Sequence, residues 1–284
     1  MSTVLHISDT HFGTEQPAVV EALLRLANAQ MPDLVVLSGD VTQRATRSQF
    51  IAARRFVDRL PAPKLVLAGN HDIPLYNVVA RTLTPYKNYQ RQFGAALDPQ
   101  FESADLLVVG IKTTRRYRHK DGEVSPDQIR HVAQRLLLAK SRQLRIVVTH
   151  QPVHVTRARD EKNLLHGARD AVRSWAKAGA DLILSGHIHL PFAARLSDRY
   201  GDLARGLWIA QAGTAVSSRV RHEAPNSVNL IRHESGSANE HYRIERWDYA
   251  AASTRTAHGE FVCVNVTSVD RQPCKVGDRN RDRG

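Results

Sequence analysis

Residues 4–11 of this chain, VLHISDTH, place a short apolar run directly before two side chains that can bind metal. Val4–Ile7 is short and rich in branched residues, which predicts a buried β-strand. Asp9 and His11 follow it two residues apart, so in an extended chain both side chains point to the same side. This spacing suits two ligands of one metal ion.

The same arrangement, an apolar run followed by polar side chains, recurs along the chain. The polar clusters are Asp9-Thr10-His11, Gly39-Asp40, Gly69-Asn70-His71-Asp72, His150 and Gly186-His187-Ile188-His189. Loops at the carboxyl ends of strands in an open α/β sheet converge on one crevice, so we expect these clusters to meet. Each alone is weak evidence, because Gly-Asp and Gly-Asn pairs also suit simple turns. Together they supply enough ligands for two ions, and unrelated polar turns are the less favoured interpretation.

Apolar runs alternate with amphipathic stretches over most of the length. The runs that predict buried strands are Val4–Ile7, Leu34–Leu37, Lys64–Leu67, Leu106–Ile111, Leu144–Val148 and Leu182–Leu184. Helical spacing predicts helices over residues 19–27 and 50–60, from Ser125 onward, and over Leu164–Ala178, with Gly179 as the stop. Ser125 and Gln128 form a capping-box pattern at one helix start. The alternation predicts α/β architecture with largely parallel strands.

The last part of the chain has a different pattern. Leu207–Gln211, Ser227–His233 and His241–Tyr249 predict strands without helices between them, and we expect a second, more antiparallel sheet that closes the same domain. The pattern fades near residue 250. We therefore assign residues 1–250 to a catalytic domain and residues 251–284 to a C-terminal extension, with a flexible charged tail from Asp278.

Composition and charge limit the class of protein. No run reaches the roughly 18–20 apolar residues of a membrane span, and no export signal is visible. The two cysteines, Cys263 and Cys274, cannot form a disulfide framework, so a cytoplasmic enzyme is expected. The net charge of +12 favours anionic partners. Its 32 arginines are spread along the chain, however, so a nucleic-acid partner is the less favoured alternative.

The order of the polar motifs carries a family resemblance. Oxygen and nitrogen ligands without a thiolate favour Zn, Mn or Fe. The motifs D-x-H, G-D, G-N-H-D, H and G-H-x-H occur in this order from Asp9 to His189. With them the chain resembles the calcineurin-like metallophosphoesterases, and it is most similar to the small bacterial (class III) cyclic-nucleotide phosphodiesterases.

The resemblance implies a fold and a set of roles. The fold would be a four-layer αββα sandwich of two mixed β-sheets flanked by helices. Two divalent or trivalent ions (Mn, Fe or Zn) would be bound, one by Asp9, His11, Asp40 and His189 and the other by Asp40, Asn70, His150 and His187. His71 would be the catalytic histidine that binds no metal.

Physical chemistry is consistent with these roles. Two ions about 3.5–4 Å apart can clamp the attacking and leaving oxygens of a phosphoester and lower the pKa of water to about 7. A hydroxide bridging them would attack phosphorus, and His71 would supply a proton or a positive charge to the leaving alkoxide. Two roles stay open for Asp72, which could orient His71 or cap the turn that follows.

The resemblance makes small phosphodiesters, with cyclic AMP first among them, the expected substrates of a phosphodiesterase. The acidic residue that many relatives carry after G-D is absent, because Asp40 is followed by Val41-Thr42-Gln43-Arg44. One alternative is a UDP-diacylglucosamine-type pyrophosphohydrolase, although those enzymes typically have Arg where His71 stands. A nuclease or nucleic-acid-binding protein is another. The oligomeric state is open, and a dimer is compatible with the sequence.

Substrate contacts are the least specified part of the site. The basic cluster Arg115–Lys120 follows the predicted strand Leu106–Ile111, so it could lean over the crevice and neutralise a phosphate. A solvated basic loop is the slightly favoured alternative. The candidate substrate-binding residues are Arg115, His154, which comes four residues after His150, and Arg44.

Overall fold

The computed structural model describes residues 1–201, 203–222, 224–234, 241–252 and 258–271. Its strands are β1 (Ser2–Ile7), β2 (Leu34–Leu37), β3 (Lys64–Val66), β4 (Gln100–Glu102), β5 (Leu106–Gly110), β6 (Leu144–Val148), β7 (Leu182–Ser185), β8 (Phe192–Arg195), β9 (Trp208–Gln211), β10 (Ser227–Glu234), β11 (His241–Ala250) and β12 (Glu260–Asp270). Its α-helices are α1 (Pro17–Gln30), α2 (Arg47–Arg59), α3 (Val78–Leu83), α4 (Lys87–Phe93), α5 (Pro126–Leu137), α6 (Ala168–Lys177) and α7 (Ser197–Tyr200). Short 3-10 helices span Asn70–Asp72 and Ala158–Asn163.

The strands form two mixed sheets. The first has the order β12-β11-β10-β1-β2-β3, in which β1, β2 and β3 are parallel and β10, β11 and β12 continue antiparallel from β1. The second has the order β4-β5-β6-β7-β9-β8, with a parallel centre and antiparallel edges. Helices cover the outer faces of both sheets. The predicted four-layer α/β sandwich of two mixed sheets is therefore confirmed.

Strand β2 shows why the strands are apolar on both faces. Leu34 and Val36 point into the core between the two sheets, whereas Val35 and Leu37 pack in the core beneath helices α1 and α2. All four side chains are buried. A strand covered on both faces has no solvent side, so its sequence is a continuous apolar run and not an alternating pattern.

The C-terminal strands are arranged differently from the prediction. Strand β9 pairs parallel with β7 in the second sheet, with β8 and α7 in the connection, and β10 pairs with β1 in the first sheet. The expectation that these strands form a separate sheet was therefore wrong. A short connection indicates an antiparallel pair only when the two strands are neighbours in one sheet. Strands β9 and β10 follow each other in the sequence but lie in different sheets.

Two boundaries also differ. Helix α6 begins at Ala168 and not at Leu164, because Gly167 has a φ of 85° and the chain can only enter the helix after it. Within the predicted extension 251–284, Glu260–Asp270 adds the edge strand β12 to the first sheet. The predicted flexible tail from Asp278 lies outside the described residues. No helix in the described ranges combines the length and apolarity needed to cross a bilayer.

Candidate metal centre

The predicted ligands meet where the carboxyl ends of the parallel strands of both sheets face each other. The loops after β1, β2 and β3 come from the first sheet, and the loops after β6 and β7 come from the second. Backbone hydrogen bonds connect neighbouring loops: Asp9 donates to Gly39 at 3.1 Å, and Gly186 donates to the carbonyl of His150 at 3.0 Å. The sheet topology thus brings together side chains that are far apart in the sequence.

Four of these side chains form a first cluster. The ligand atoms of Asp9, His11, Asp40 and His189 all lie within 4.8 Å of one another. Nε2 of His189 is 3.2 Å from Oδ1 of Asp9 and 3.2 Å from Nε2 of His11. A cation placed among them would be contacted by two carboxylates and two imidazoles.

A second cluster lies beside the first and shares Asp40 with it. The ligand atoms of Asp40, His150 and His187 are within 4.8 Å of one another, and Oδ1 of Asn70 lies 3.2 Å from Nε2 of His150. Oδ1 of Asp40 is 3.3 Å from Nε2 of His150, while its Oδ2 is 3.7 Å from Nε2 of His11. One oxygen of Asp40 therefore faces each cluster, as a carboxylate that bridges two ions would.

The donor atoms fit metal ions. Oδ1 of Asp9 is fully buried and lies 3.2 Å from Nε2 of His189, and a buried anionic oxygen is costly unless positive charge lies beside it. Two imidazole nitrogens face each other at 3.2 Å, an arrangement that needs a proton or a cation between them. Carboxylate, amide and imidazole donors without a thiolate match Zn, Mn or Fe.

Burial and charge set the protonation of these groups. Burial lowers the pKa of His11 to about 3 and that of His187 to about 4, so both imidazoles are neutral and can donate a lone pair. Burial also acts to lower the pKa of His150, but the Asp40 carboxylate outweighs it and raises this pKa to about 9. Burial acts to raise the pKa of Asp40, and the neighbouring histidines keep it well below its usual range. In the metal-free protein, protonated histidine therefore supplies positive charge that an ion would replace.

The backbone is strained at five of the candidate ligands. A φ in the left-handed region is found at Asp9 (52°), His11 (42°), Asp40 (48°), His187 (75°) and His189 (57°). Non-glycine residues rarely adopt this conformation, which costs of order 1–3 kcal/mol each and clusters at functional sites. Gly39 precedes Asp40 with a φ of 111°, and a Cβ there would overlap the His150 ring. The strand ends thus curl tightly enough to direct their side chains to one point.

Outer hydrogen bonds orient two of the imidazoles. Nδ1 of His150 donates to the carbonyl of Ser38 at 2.9 Å, and Nδ1 of His189 donates to the carbonyl of Arg219 at 2.6 Å. With Nδ1 occupied, Nε2 of each ring is the atom left for a metal. Such outer contacts fix the tautomer and raise the basicity of a ligand.

His71 lies at the edge of the first cluster. Its ring packs edge-on against His11, with 4.8 Å between the ring centroids. Nδ1 of His71 donates to the carbonyl of Gln43 at 2.9 Å, and its backbone N–H donates to Oδ1 of Asp40 at 2.8 Å. Nε2 lies 3.4 Å from Nη1 of Arg219. His71 is thus held beside the clusters without belonging to either.

Asp72 holds two loops together. Its carboxylate accepts hydrogen bonds from the backbone N–H groups of Val41, Thr42 and Gly69, at 2.8–3.0 Å, and from the Thr42 hydroxyl at 2.8 Å. None of its hydrogen bonds within the described residues reaches the His71 ring. Of the two open roles, this geometry favours the cap over the orienting partner. The sequence also makes Asp72 a candidate catalytic residue beside His71, and its contacts give no support to that role.

A cavity of about 650 Å³ opens beside the clusters. Its walls include Asn70 and His71 at the metal side and Tyr76 further out. The cationic or ionisable side chains that line it are Arg44, His71, His119 and Lys120. No carboxylate lines it among the described residues, so the cavity suits an anion.

The predicted substrate residues fall in different places. Arg44 lines the cavity, and its guanidinium lies 5.3 Å from the centre of the Tyr76 ring. Arg115 instead ties its loop to helix α5, since Nη2 donates to Oε1 of Gln128 at 2.6 Å. His154 packs edge-on against Phe192 and is not among the described residues that line the cavity.

Arg219 is the main residue that the sequence did not single out. Its Nη1 donates to Oε1 of Gln43 at 2.8 Å and approaches His71, so it joins two loops at the site. A signal existed, because Arg219 lies in the loop that follows β9, another parallel strand of the second sheet. The strand was predicted, but its place in the sheet was not. His119 and Lys120 were missed as individual residues within the basic cluster.

Comparisons with known proteins agree with this geometry. The sequence profile described as calcineurin-like phosphoesterase matches residues 2–191. A probable cyclic nucleotide phosphodiesterase of Synechococcus is 24% identical over 202 residues, covering 67% of this chain and 74% of that protein. A probable glycerophosphodiester phosphodiesterase of Arcobacter nitrofigilis is 23% identical over 199 residues, covering 66% and 71%.

Solved structures share the fold. A dimetal phosphatase of Danio rerio has a TM-score of 0.61 at 13% identity. The superposition covers 95% of this chain and 99% of the Danio rerio chain. A purple acid phosphatase from yellow lupin (Lupinus luteus) has a TM-score of 0.64 at 11% identity. It covers 92% of this chain, which spans only 53% of the lupin enzyme. At these identities the similarity concerns the fold alone.

The shared position of Asp40 makes a prediction about metal content. Asp40→Ala should reduce bound metal from about two ions per chain to below one, because both clusters lose a ligand. Metal would be measured by inductively coupled plasma mass spectrometry after loading with Mn²⁺ and desalting. Asp58→Ala, at an exposed carboxylate paired with Arg54, is the matched control. Equal metal content in the two variants would contradict a bridging role.

Proposed function

Since this chain belongs to the calcineurin-like phosphoesterase family and is a metal-dependent phosphoric ester hydrolase, we propose that it acts as a phosphodiesterase on cyclic nucleotides and other small phosphodiesters. The observation that carries the proposal is Asp40, which faces two ligand clusters with its two oxygens beside an anion-compatible cavity. The proposed ligands are Asp9, His11, Asp40 and His189 for one ion and Asp40, Asn70, His150 and His187 for the other. Bound there, the ions would polarise the phosphoryl group and lower the pKa of water.

The cavity supports a small anionic substrate. One end contains Asn70 and His71, and the other contains Arg44 beside the Tyr76 ring. A phosphodiester at the metal end could extend its organic group along this wall, where an aromatic ring and a cation are available. The names of the two curated relatives, a cyclic nucleotide phosphodiesterase and a glycerophosphodiester phosphodiesterase, agree with substrates of this size.

His71 is the proposed proton donor. The Gln43 carbonyl accepts from Nδ1, so the Nε2 edge of the ring is turned toward the site. A proton carried on Nε2 can pass to the leaving oxygen as the ester bond breaks. The neighbouring backbone bond to Asp40 keeps the ring at a fixed place relative to the ligands.

Arg219 is the proposed phosphate-binding residue. In the described part of the chain Nη1 donates to Oε1 of Gln43, and Nε and Nη2 have no hydrogen-bond partner. A guanidinium held by one nitrogen can give its remaining N–H groups to two phosphoryl oxygens. Binding there would also keep Arg219 close to His71.

The direct test is hydrolysis of bis-p-nitrophenyl phosphate. Purified protein should turn over this diester with added Mn²⁺, lose the activity with chelator, and lose it in Asp40→Ala. Competition by cyclic AMP and by glycerophosphocholine would then rank the two substrate types. Metal-loaded, folded protein that cleaves p-nitrophenyl phosphate but not the diester would refute the phosphodiesterase proposal.

His71→Ala separates proton donation from metal binding. We expect two bound ions per chain, as in the unmodified protein, with kcat lowered by roughly 10²–10⁴-fold because a positioned general acid is lost. His131→Ala, at an exposed histidine on helix α5, is the matched control. Parallel loss of metal and activity would instead make His71 a ligand or a structural residue.

Arg219→Ala and Arg115→Ala distinguish two arginines at the site margin. Loss of charge-assisted hydrogen bonds worth roughly 1.5–3 kcal/mol should lower kcat/KM of Arg219→Ala about 10- to 100-fold. Arg115→Ala should leave kcat/KM almost unchanged, because its guanidinium is already bound to Gln128 and to backbone carbonyls. Steady-state kinetics on the diester would measure both, and the reverse order of effects would transfer the role to Arg115.

A further inference from the structure

Helix α3 has its polar and apolar sides inverted. The valines Val78 and Val79 and Leu83 are 69%, 68% and 74% exposed, whereas Arg81 is only 7% exposed. A surface helix of a globular protein normally buries its apolar face and exposes its charges. Folding alone does not explain three large apolar side chains in water on a six-residue helix.

The buried Arg81 fixes this orientation. Its guanidinium donates to the carbonyl of Pro74 at 3.2 Å and to the carbonyl of Arg116 at 2.7 Å, and it also bonds the carbonyl of Arg118. These hydrogen bonds hold helix α3 against the basic cluster Arg115–Lys120. Since three carbonyls satisfy the arginine, the helix cannot rotate its apolar side inward without leaving a buried charge unpaired.

Further apolar side chains extend the exposed face. Together they form a surface that we name the apolar rim, made of Leu75, Tyr76, Val78, Val79, Leu83 and Tyr117. Leu75 and Tyr76 also line the cavity beside the candidate metal centre. The rim therefore borders the entrance to the site. Clustered exposed apolar groups of this kind mark interaction surfaces.

Positive charge predominates around the rim, and the one carboxylate in contact with it among the described residues is Glu123, which accepts from the Tyr117 hydroxyl at 3.0 Å. The exposed cations are Arg44, Lys87, Arg91, Arg116 and Lys120, and none of them has an ion pair within the described residues. Residues 73–97 contain no Asp or Glu at all. Arg118 is different, because it pairs with Glu123 at 2.9 Å. The partner of this surface must accept both apolar contact and a dense positive charge.

We propose that the apolar rim docks on an anionic phospholipid bilayer. Acidic headgroups would pair with the exposed cations while the valines, leucines and tyrosines enter the boundary between headgroups and acyl chains. A second copy of this chain fits less well, since a symmetric contact through this face would bring like charges together. Docking would place the cavity entrance at the lipid surface.

Docking has a consequence for the substrate, and this part rests on the proposed phosphodiesterase function. A phosphodiester held at a lipid surface would face the cavity entrance directly. Such a substrate reaches the metal centre without leaving the interface. The binding itself does not depend on catalysis, so the two ideas can fail separately.

The test compares two doubly substituted variants. Val79→Asp with Leu83→Asp places charge in the rim outside the cavity lining, and Leu137→Asp with Leu138→Asp makes the same change at residues that are 69% and 74% exposed at the end of helix α5. Each protein is sedimented with vesicles of equal parts phosphatidylglycerol and phosphatidylcholine, or of phosphatidylcholine alone. Hydrolysis of bis-p-nitrophenyl phosphate is measured in parallel.

We expect the unmodified protein and the α5 variant to bind anionic vesicles and not neutral ones. The rim variant should bind about tenfold or more weakly, because two apolar side chains no longer leave water. All three should hydrolyse the soluble diester alike. Absence of vesicle binding by the unmodified protein, equal binding to neutral vesicles, or equal loss in both variants would overturn docking. Vesicle binding without any diester hydrolysis would leave docking standing and refute the proposed function.

Discussion

Two buried carboxylates at the meeting point of the two sheets are the constraint on which the site depends. Asp9 and Asp40 are fully enclosed, and burying anions is expensive unless positive charge lies beside them. In this structure the balance comes from imidazoles, with His150 holding its proton because Asp40 is next to it. The strand ends bear left-handed backbone conformations to bring these groups together. Two bound metal ions would replace these protons. The free energy of metal binding would then offset the free energy lost to backbone strain in the loops.

Much of the fold, and the place where the candidate ligands meet, could be predicted because each candidate ligand follows a buried strand. A strand such as Leu34–Leu37 is apolar on both faces, so it is visible in the sequence, and its end marks where Asp40 must lie. The place of β9 was not predictable in the same way. Pairing partners depend on contacts between distant segments, and nothing in Trp208–Gln211 itself indicates that it is parallel to β7. The loop that carries Arg219 was missed for this reason.

Side-chain direction was the other limit on prediction. Proximity in sequence placed Arg115 and Asp72 near the site, but neither points at it: Arg115 bonds Gln128, and Asp72 bonds the backbone of two loops. In both residues the side chain turns toward the hydrogen-bonding groups nearest to it. A buried carboxylate takes the nearest unpaired N–H groups, and these belong to Val41, Thr42 and Gly69. His71 is thereby left to the Gln43 carbonyl.

Part of the chain's positive charge is concentrated on one surface of the folded protein, which composition alone cannot show. In the sequence the 32 arginines are spread along the chain, which made a nucleic-acid partner the less favoured alternative. The fold brings segment 73–97, which lacks acidic residues, against the basic cluster Arg115–Lys120 through the buried Arg81. Charges that are unremarkable in each segment then surround one entrance. Because the cavity behind it also lacks carboxylates among the described residues, the charges that line the path from the surface favour anions. Two metal ions bound at the inner end of this path would also attract an anion, so the whole path would favour a phosphoester.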